Sequence, residues 1–323
     1  MEHAILHDLP HGLTRVDVDY VRPGLAAGYV MAHNGRGAII ETGTRFSAPR
    51  FLDALDRAGV ARENVDYIFI THVHLDHAGG AGALLESLPN AKLVVHPRGA
   101  RHMIDPSKLI AGSIAVYGEE KYFALYGEIV PAPAERVIES ADGMQLELAG
   151  RPLELLHVEG HAKHHYVVWD DESRGLFTGD AFGISYREFD HDGAAWIYPT
   201  TTPVQFDPDA AHAAIDRLAD KDPQWLYLTH FDALAYRPEH RDALHAQLQR
   251  IVALCRNAPQ APGAERTAHL SEGMRALFLE FLERAGAGGH LDLTTKEALM
   301  APDIVINVQG LEVWMDKLAA AKQ

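Results

Sequence analysis

The feature that most constrains this chain is a dense run of histidines and one aspartate that directly follows an apolar segment. Residues 67–70 (YIFI) are β-branched or aromatic, which predicts a buried strand. The next residues, 71–77 (THVHLDH), hold three imidazoles and one carboxylate. Because a strand end is rigid and open to a cleft, this placement favours a metal site that admits a small molecule.

Three other predicted strands also end at a metal-binding side chain. His161 follows residues 155–158, Asp180 follows residues 176–178, and His230 follows residues 226–228. A single Gly-His or Gly-Asp at a strand end is usually just a turn. Four such ends together, led by the run at 71–77, point to a metal centre.

This set of ligands resembles that of the metallo-β-lactamase superfamily, in particular its glyoxalase II and lactonase branch. The order and spacing match over residues 13–255, and Glu41 stands where the family usually has an aspartate before a glycine. The resemblance implies an α/β (α+β) fold, a four-layer αββα sandwich, here with a C-terminal helical appendage. The residues that carry it are His72, His74, Asp76, His77, His161, Asp180 and His230.

The resemblance further implies a dinuclear centre with two divalent metal ions. One ion would be held by His72, His74 and His161, the other by Asp76, His77 and His230, and Asp180 would bridge them. Zinc is the expected metal, and iron or manganese accepts the same nitrogen and oxygen donors. A metal-bridging hydroxide would be the nucleophile, and Asp76 and Asp180 would be the catalytic carboxylates.

Residues around the ligands are predicted to support them or to line the substrate pocket. Glu41, Thr71 and His165 are candidates to orient the ligand histidines. The loop after Asp180 offers Tyr186 and Arg187 as substrate-binding candidates, and Tyr198 and residues 98–130 are further candidates for the pocket wall. We expect His96, His102, His157, His164 and His191 to play no ligand role.

Periodicity predicts a first domain over residues 1–256 and a helical region over 257–323. Within the first, residues 98–130 read as a helical excursion that could act as a lid. The segment 257–263 has two prolines and a glycine and is predicted to be a linker. The tail is predicted to form helices at 271–285, 295–301 and 310–321.

The composition argues against several classes of partner. A formal net charge of −16 disfavours nucleic acid and anionic membranes. Cys255 is the only cysteine, and neither a signal peptide nor a membrane span is apparent, so we expect a cytoplasmic protein. The expected partner is a small-molecule substrate, and a homodimer is compatible with the helical tail.

We therefore expect a metal-dependent hydrolase of an ester, thioester or lactone. Asp180 stands where β-lactamases of this superfamily have cysteine or serine, which argues against antibiotic hydrolysis. Gly183 stands where signal-degrading lactonases usually have a tyrosine. Two alternatives stay open: an enzyme resembling mononuclear-iron persulfide dioxygenases, and a metal-binding scaffold without turnover.

Overall fold

A computed structural model describes residues 5–202 and 204–321 of the chain, which divide into two compact units. The first unit contains the described residues up to His157 together with His164–Gly179 and Pro223–Ala235. The second contains Val158–Lys163, the described part of Asp180–Asp222, and the chain from Tyr236 onward. The chain therefore passes between the units several times.

The first unit contains a seven-stranded mixed sheet in sequence order. Its first four strands pair antiparallel, and the remaining strands pair parallel to β4 and to one another. The strands are β1 (Leu6–Leu9), β2 (Leu13–Asp17), β3 (Ala27–His33), β4 (Arg36–Ile40), β5 (Val65–Phe69), β6 (Lys92–Val95) and β7 (Val137–Glu139).

A six-stranded sheet completes the strands of the first unit. It comprises β8 (Met144–Leu148), β9 (Arg151–His157), β10 (Tyr166–Asp170), β11 (Gly175–Gly179), β14 (Trp225–Leu228) and β15 (Ala233–Ala235). All of its pairs are antiparallel except β11 with β14. Because β11 and β14 are parallel, their carboxyl ends lie side by side.

The alternation of side chains along β5 explains how the two sheets pack. Phe69 belongs to a buried cluster that joins the sheets, with Tyr29, Phe177 and Tyr227 among its members. Ile68 points to the opposite face and lies in a second cluster with residues of α1 (Ala48–Arg57) and α3 (Ala81–Ser87). The predicted buried strand at 67–70 is thus confirmed as β5, covered on both faces.

Four further helices belong to the first unit. They are α2 (Leu75–Ala78), α4 (Pro97–Ile104), α5 (Ser107–Tyr117) and α6 (Glu119–Tyr126). The prediction that residues 98–130 form a helical excursion is confirmed by α4–α6, whereas its role as a lid stays a prediction.

The described part of the second unit holds a short two-stranded sheet and four helices. These are β12 (Ile184–Ser185), β13 (Ile197–Tyr198), α7 (Pro208–Ala219), α8 (Pro238–Asn257), α9 (Ala264–Arg284) and α10 (Leu293–Ala320). The predicted linker separates α8 from α9. The domain boundary expected at residue 256 falls at the end of α8, inside this unit, and it stays a prediction.

The prediction of two separate helices after residue 295 is wrong. One helix, α10, continues through Pro302. Proline removes one backbone donor, but the buried side chains of Met300, Ile304 and Val308 anchor the helix on both sides of it. Further along α10, Gly310 approaches the backbone of Thr201. A Cβ atom at position 310 would be 1.6 Å from the Thr201 carbonyl oxygen.

Two further observations concern the helices and Cys255. None of the helices in the described ranges is long and apolar enough to cross a membrane. Cys255 is 3% exposed, and burial raises the pKa of its thiol to about 12.

Candidate metal centre

The carboxyl ends of neighbouring strands in the first unit bring the predicted metal-binding side chains together. Parallel β4 and β5 end beside each other, so that Glu41 lies next to Thr71 and accepts a hydrogen bond from its backbone N–H at 3.0 Å. The run from His72 to His77 starts there, and β14 leads into His230. The register of β4 and β5 therefore explains why Glu41 and Thr71 meet, whereas His230 follows a strand of the other sheet in the same unit.

Asp76, His77 and His230 form a three-residue group that could hold one metal ion. One ligand atom from each lies within 4.8 Å of the others. Oδ2 of Asp76 lies 3.4 Å from Nε2 of His230 and 3.9 Å from Nε2 of His77. Two tetrahedral zinc ligands with bonds of about 2.0–2.1 Å would be about 3.3 Å apart, so these distances fit a shared ion after small adjustment.

The outer nitrogens of the two histidines are held by hydrogen-bond acceptors. Nδ1 of His77 donates to the Glu41 carboxylate at 3.1 Å, and Nδ1 of His230 donates to the Leu25 carbonyl oxygen at 3.0 Å. Because neither acceptor has a proton to give, each ring must carry its proton on Nδ1. The Nε2 lone pairs are then directed toward Asp76, as a metal requires.

His72 and His74 lie beside this group in the same unit. Nε2 of His72 is 2.9 Å from Nδ1 of His74, and Nδ1 of His72 contacts the Thr71 hydroxyl at 3.0 Å. The His165 ring stacks on that of His72 with centroids 4.8 Å apart. The three residues predicted to orient ligands, Glu41, Thr71 and His165, are therefore in contact with predicted ligand histidines.

Burial and charge keep these side chains in the protonation states that metal binding needs. Burial, reinforced by His164, lowers the pKa of His74 to about 3, so its ring is neutral near pH 7. Burial alone would favour protonated Asp76, but His77 and His230 outweigh it and lower the pKa of that carboxyl. A neutral imidazole and an ionised carboxylate are the ligand forms of these groups.

His161 and Asp180 lie in the second unit and are close to each other there. Nε2 of His161 is 3.6 Å from Oδ2 of Asp180, and the two side chains are almost fully buried. Gly160 lets this turn approach α7, since a Cβ atom there would lie 2.5 Å from the Ala211 Cα. Its φ of +123° is a second reason for glycine at this position.

The structure places the predicted substrate-binding residues in the packing of the second unit. Tyr186 is 3% exposed and donates a hydrogen bond to Asp303 at 3.0 Å. Tyr198 is fully buried with its ring stacked on Trp196, and Arg187 forms an ion pair with Asp190 at 3.3 Å. Their contact with a substrate stays a prediction.

Two features of the first unit are not apparent from the sequence. The Leu25 carbonyl acts through its backbone, so no side-chain pattern marks it. Tyr20, Tyr117 and Tyr126 lie within reach of the charge on Asp76, which, after burial, contributes to raising the pKa of each phenol. Tyr117 and Tyr126 lie in the 98–130 excursion, whereas Tyr20 lies between β2 and β3, where no pattern marks it.

The donor set of the first unit fits a divalent metal ion. Imidazole nitrogens and a carboxylate oxygen suit zinc, and they also accept iron or manganese. Their outer nitrogens are anchored, as described for His77 and His230. Two imidazole rings and one carboxylate direct their ligand atoms at one another in this set. A bound cation would accept the two nitrogen lone pairs and offset the negative charge of the carboxylate.

Comparison of the sequence with known proteins identifies several relatives. ST1585, a metallo-β-lactamase fold-containing protein of Sulfurisphaera tokodaii, is 30% identical over 202 residues, which cover 62% of this chain and 68% of the relative. A hydroxyacylglutathione hydrolase of Aeromonas hydrophila is 27% identical over 229 residues, or 69% of each chain.

Solved structures and a family sequence profile also identify relatives of this chain. The crystal structure of ST1585 aligns with a TM-score of 0.64 at 23% identity and covers 94% of this chain and 99% of its own. TTHA1429 from Thermus thermophilus, a metallo-β-lactamase family protein, aligns with a TM-score of 0.64 at 22% identity, covering 97% and 95%. These likenesses confirm the predicted α/β fold with C-terminal helices. The sequence profile of the metallo-β-lactamase superfamily matches residues 21–230, and the chain belongs to this superfamily.

Proposed function

We propose that the chain is a metal-dependent hydrolase that cleaves an ester, thioester or lactone of a small molecule. The observation that carries this proposal is the Asp76, His77 and His230 group, in which hydrogen bonds to Nδ1 direct the Nε2 atoms toward the carboxylate. Likeness to a hydroxyacylglutathione hydrolase supports a thioester among the substrates.

The proposed centre holds two divalent ions, with zinc expected and iron or manganese as alternatives. His72, His74 and His161 would hold one ion, Asp76, His77 and His230 the other, and Asp180 would contact both. When bound, such ions lower the pKa of water toward about 7 and polarise a carbonyl group. Support for the first set comes from the 2.9 Å approach of His72 to His74, and for Asp180 from its 3.6 Å distance to His161.

The residues of the chain would prepare this chemistry in separate ways. Glu41 accepts the proton of His77 Nδ1 and so holds its tautomer. Asp76 stays ionised because its pKa is lowered, which suits a ligand better than a proton store. Any proton that passes from the attacking water to the leaving group over Asp76 would therefore reside there only briefly.

The test combines metal analysis with a substrate panel. Purified full-length protein of measured zinc, iron and manganese content is assayed on thioesters, lactones and phosphodiesters. We expect hydrolysis of at least one carboxylic ester class, loss of this activity after chelation, and its return with zinc or manganese. Activity that survives complete metal removal would refute the proposal.

Two further measurements separate the alternatives. One iron per chain, with oxygen consumption on a persulfide, would replace the hydrolase by a dioxygenase. Asp180→Ala should abolish turnover, whereas the exposed Asp171→Ala should leave it unchanged and serves as the matched control. A scaffold would show no turnover on the panel with metal bound, and Asp180→Ala would change only its stability.

A further inference from the structure

The amide side chain of Asn307 is a buried polar group that the predicted ligand set does not account for. It lies inside α10 and has no exposed surface. A buried amide must pair both its oxygen and its NH2 group, because an unmet polar group in the interior costs stability. The NH2 group donates to the Asp303 carbonyl oxygen of the same helix at 2.8 Å. The oxygen bonds to residues 199–202 (PTTT), which we call the threonine segment.

Thr201 of this segment is held on α10 through its backbone and its side chain. Oδ1 of Asn307 accepts from the Thr201 backbone N–H and from its hydroxyl, the latter at 2.8 Å. The same hydroxyl lies 3.1 Å from the Asn307 carbonyl oxygen. Gly310 permits this approach, because a Cβ atom there would also lie 2.9 Å from the Thr202 carbonyl carbon. Hydrogen bonds and close packing therefore fix the backbone at Thr201 against one turn of the helix.

Thr202 extends this anchoring to a predicted metal ligand. Its hydroxyl lies 3.3 Å from Nδ1 of His161, whereas Nε2 of the same ring lies 3.6 Å from Oδ2 of Asp180. A histidine that binds a metal through Nε2 keeps its proton on Nδ1, and a hydroxyl oxygen can accept that proton. Thr202 is therefore placed to hold the His161 ring in the form and orientation that direct Nε2 toward Asp180.

The contact between Thr202 and His161 depends on the anchor at Thr201. None of the described residues between β13, which ends at Tyr198, and α7, which begins at Pro208, belongs to a helix or strand, so other contacts must order the segment. The backbone beside His161 has separate support, since Asp207 N–H donates to the Gly160 carbonyl oxygen at 2.9 Å. The threonine segment thus acts on the His161 ring rather than on the turn that carries it.

From these contacts we propose that Asn307 is a positioning residue for the metal centre. It fixes Thr201 and thereby Thr202, whose hydroxyl sets the ring orientation of His161. This inference rests on the proposed function and deepens it, because it gives the C-terminal helix α10 a part in metal binding. Neither Asn307 nor Thr202 touches a metal ion or a substrate in this arrangement.

The first test measures cobalt binding to metal-free full-length protein. Co²⁺ is the probe because its visible absorption depends on its ligands, and competition with a chelator gives the Kd of each ion. Thr202→Val keeps the shape of the side chain but removes the hydroxyl, and it should weaken the binding of one ion by about 10- to 100-fold. Thr202→Ser keeps the hydroxyl and should bind cobalt nearly as tightly as the unaltered protein.

The second variant tests the anchor itself. Asn307→Leu removes the amide at similar size and should weaken the same ion by about 3- to 10-fold, because Thr202 keeps its hydroxyl but loses its alignment. If circular dichroism shows that Asn307→Leu does not fold, Thr201→Val replaces it, since this variant keeps the backbone bond to Asn307. Met300→Ala is the matched control, because Met300 is also buried in α10, about two turns before Asn307. It should lower the melting temperature and leave cobalt affinity unchanged.

NMR of the metal-free protein separates failure of the positioning role from failure of the proposed function. The ring ¹⁵N resonances of His161 are assigned by their loss in His161→Gln. They should shift in Thr202→Val and in the variant of the anchor, but not in Met300→Ala. Such shifts without metal binding, or with metal binding but no turnover, would refute only the metal-dependent hydrolase. Unshifted resonances, unchanged cobalt affinity in Thr202→Val, or equal losses of affinity in Met300→Ala and the variant of the anchor would each overturn the positioning role.

Discussion

Replacing Glu41 should show how strongly the support of one ligand histidine controls metal affinity. Glu41 is 1% exposed, and its two oxygens accept from Thr71 N–H at 3.0 Å and His77 Nδ1 at 3.1 Å. In Glu41→Gln the amide oxygen can still accept from Thr71. The NH2 group then faces His77 and donates to Nδ1, which moves the ring proton to Nε2 and blocks the lone pair that would bind metal.

The expected magnitude follows from this change in hydrogen bonding. Loss of a carboxylate that orients a ligand histidine typically costs about 10- to 100-fold in metal affinity, or about 1.4–2.7 kcal/mol. Glu41→Ala should have the same effect on affinity and also destabilise the metal-free protein. It leaves two buried donors unsatisfied at about 1–3 kcal/mol each, or about 2–6 kcal/mol together.

The assay measures the two quantities separately. Zinc affinity is obtained by competition with a chromophoric chelator, and the free energy of unfolding of the metal-free protein is obtained by urea denaturation. Glu86→Gln changes an exposed carboxylate on α3 and should alter neither quantity. If Glu41→Gln binds zinc as tightly as the unaltered protein, the assigned role of Glu41 is incorrect.

Three further predictions test strain, acid stability and a buried hydroxyl. Gly160→Ala should lower the free energy of unfolding by about 2–4 kcal/mol, because the new methyl group would clash with Ala211 and the residue has a positive φ. Gly150→Ala also has a positive φ but has open space around it, so it should cost about 1 kcal/mol. Urea denaturation measures both values. Burial, aided by His157, lowers the pKa of His96 from 6.5 to about 4. The metal-free protein should therefore lose stability as the pH falls through this range. His96→Gln should reduce that loss, which is measured as the difference between the urea midpoints at pH 7 and pH 4.5. Tyr122→Phe should leave the melting temperature unchanged or raise it, because the buried Tyr122 hydroxyl has no hydrogen-bond partner among the described residues; a clear fall in the melting temperature would contradict this reading.

The strands and their ends were predictable because their signals are local. The β-branched run before Thr71 predicts β5, and the histidines follow within a few residues. The prediction of two helices after residue 295 was wrong because side chains buried on both sides of Pro302 continue α10 through that residue. Local patterns therefore predicted where the candidate ligand side chains lie in the sequence. They did not predict that side-chain packing continues α10 through Pro302.

The contact between Tyr20 and Tyr126 shows why the surroundings of a metal centre are harder to predict than its ligands. These two residues are separated by 106 positions, and their hydroxyls lie 2.9 Å apart in a cluster that also contains Leu75. A metal restricts its ligands to a few side-chain types, so their spacing carries information even without coordinates. An acyl group can be contacted by any apolar residue, so its surface leaves no such spacing. Two superfamily members could therefore share the metal-binding set around Asp76 and still differ in every residue that selects the substrate.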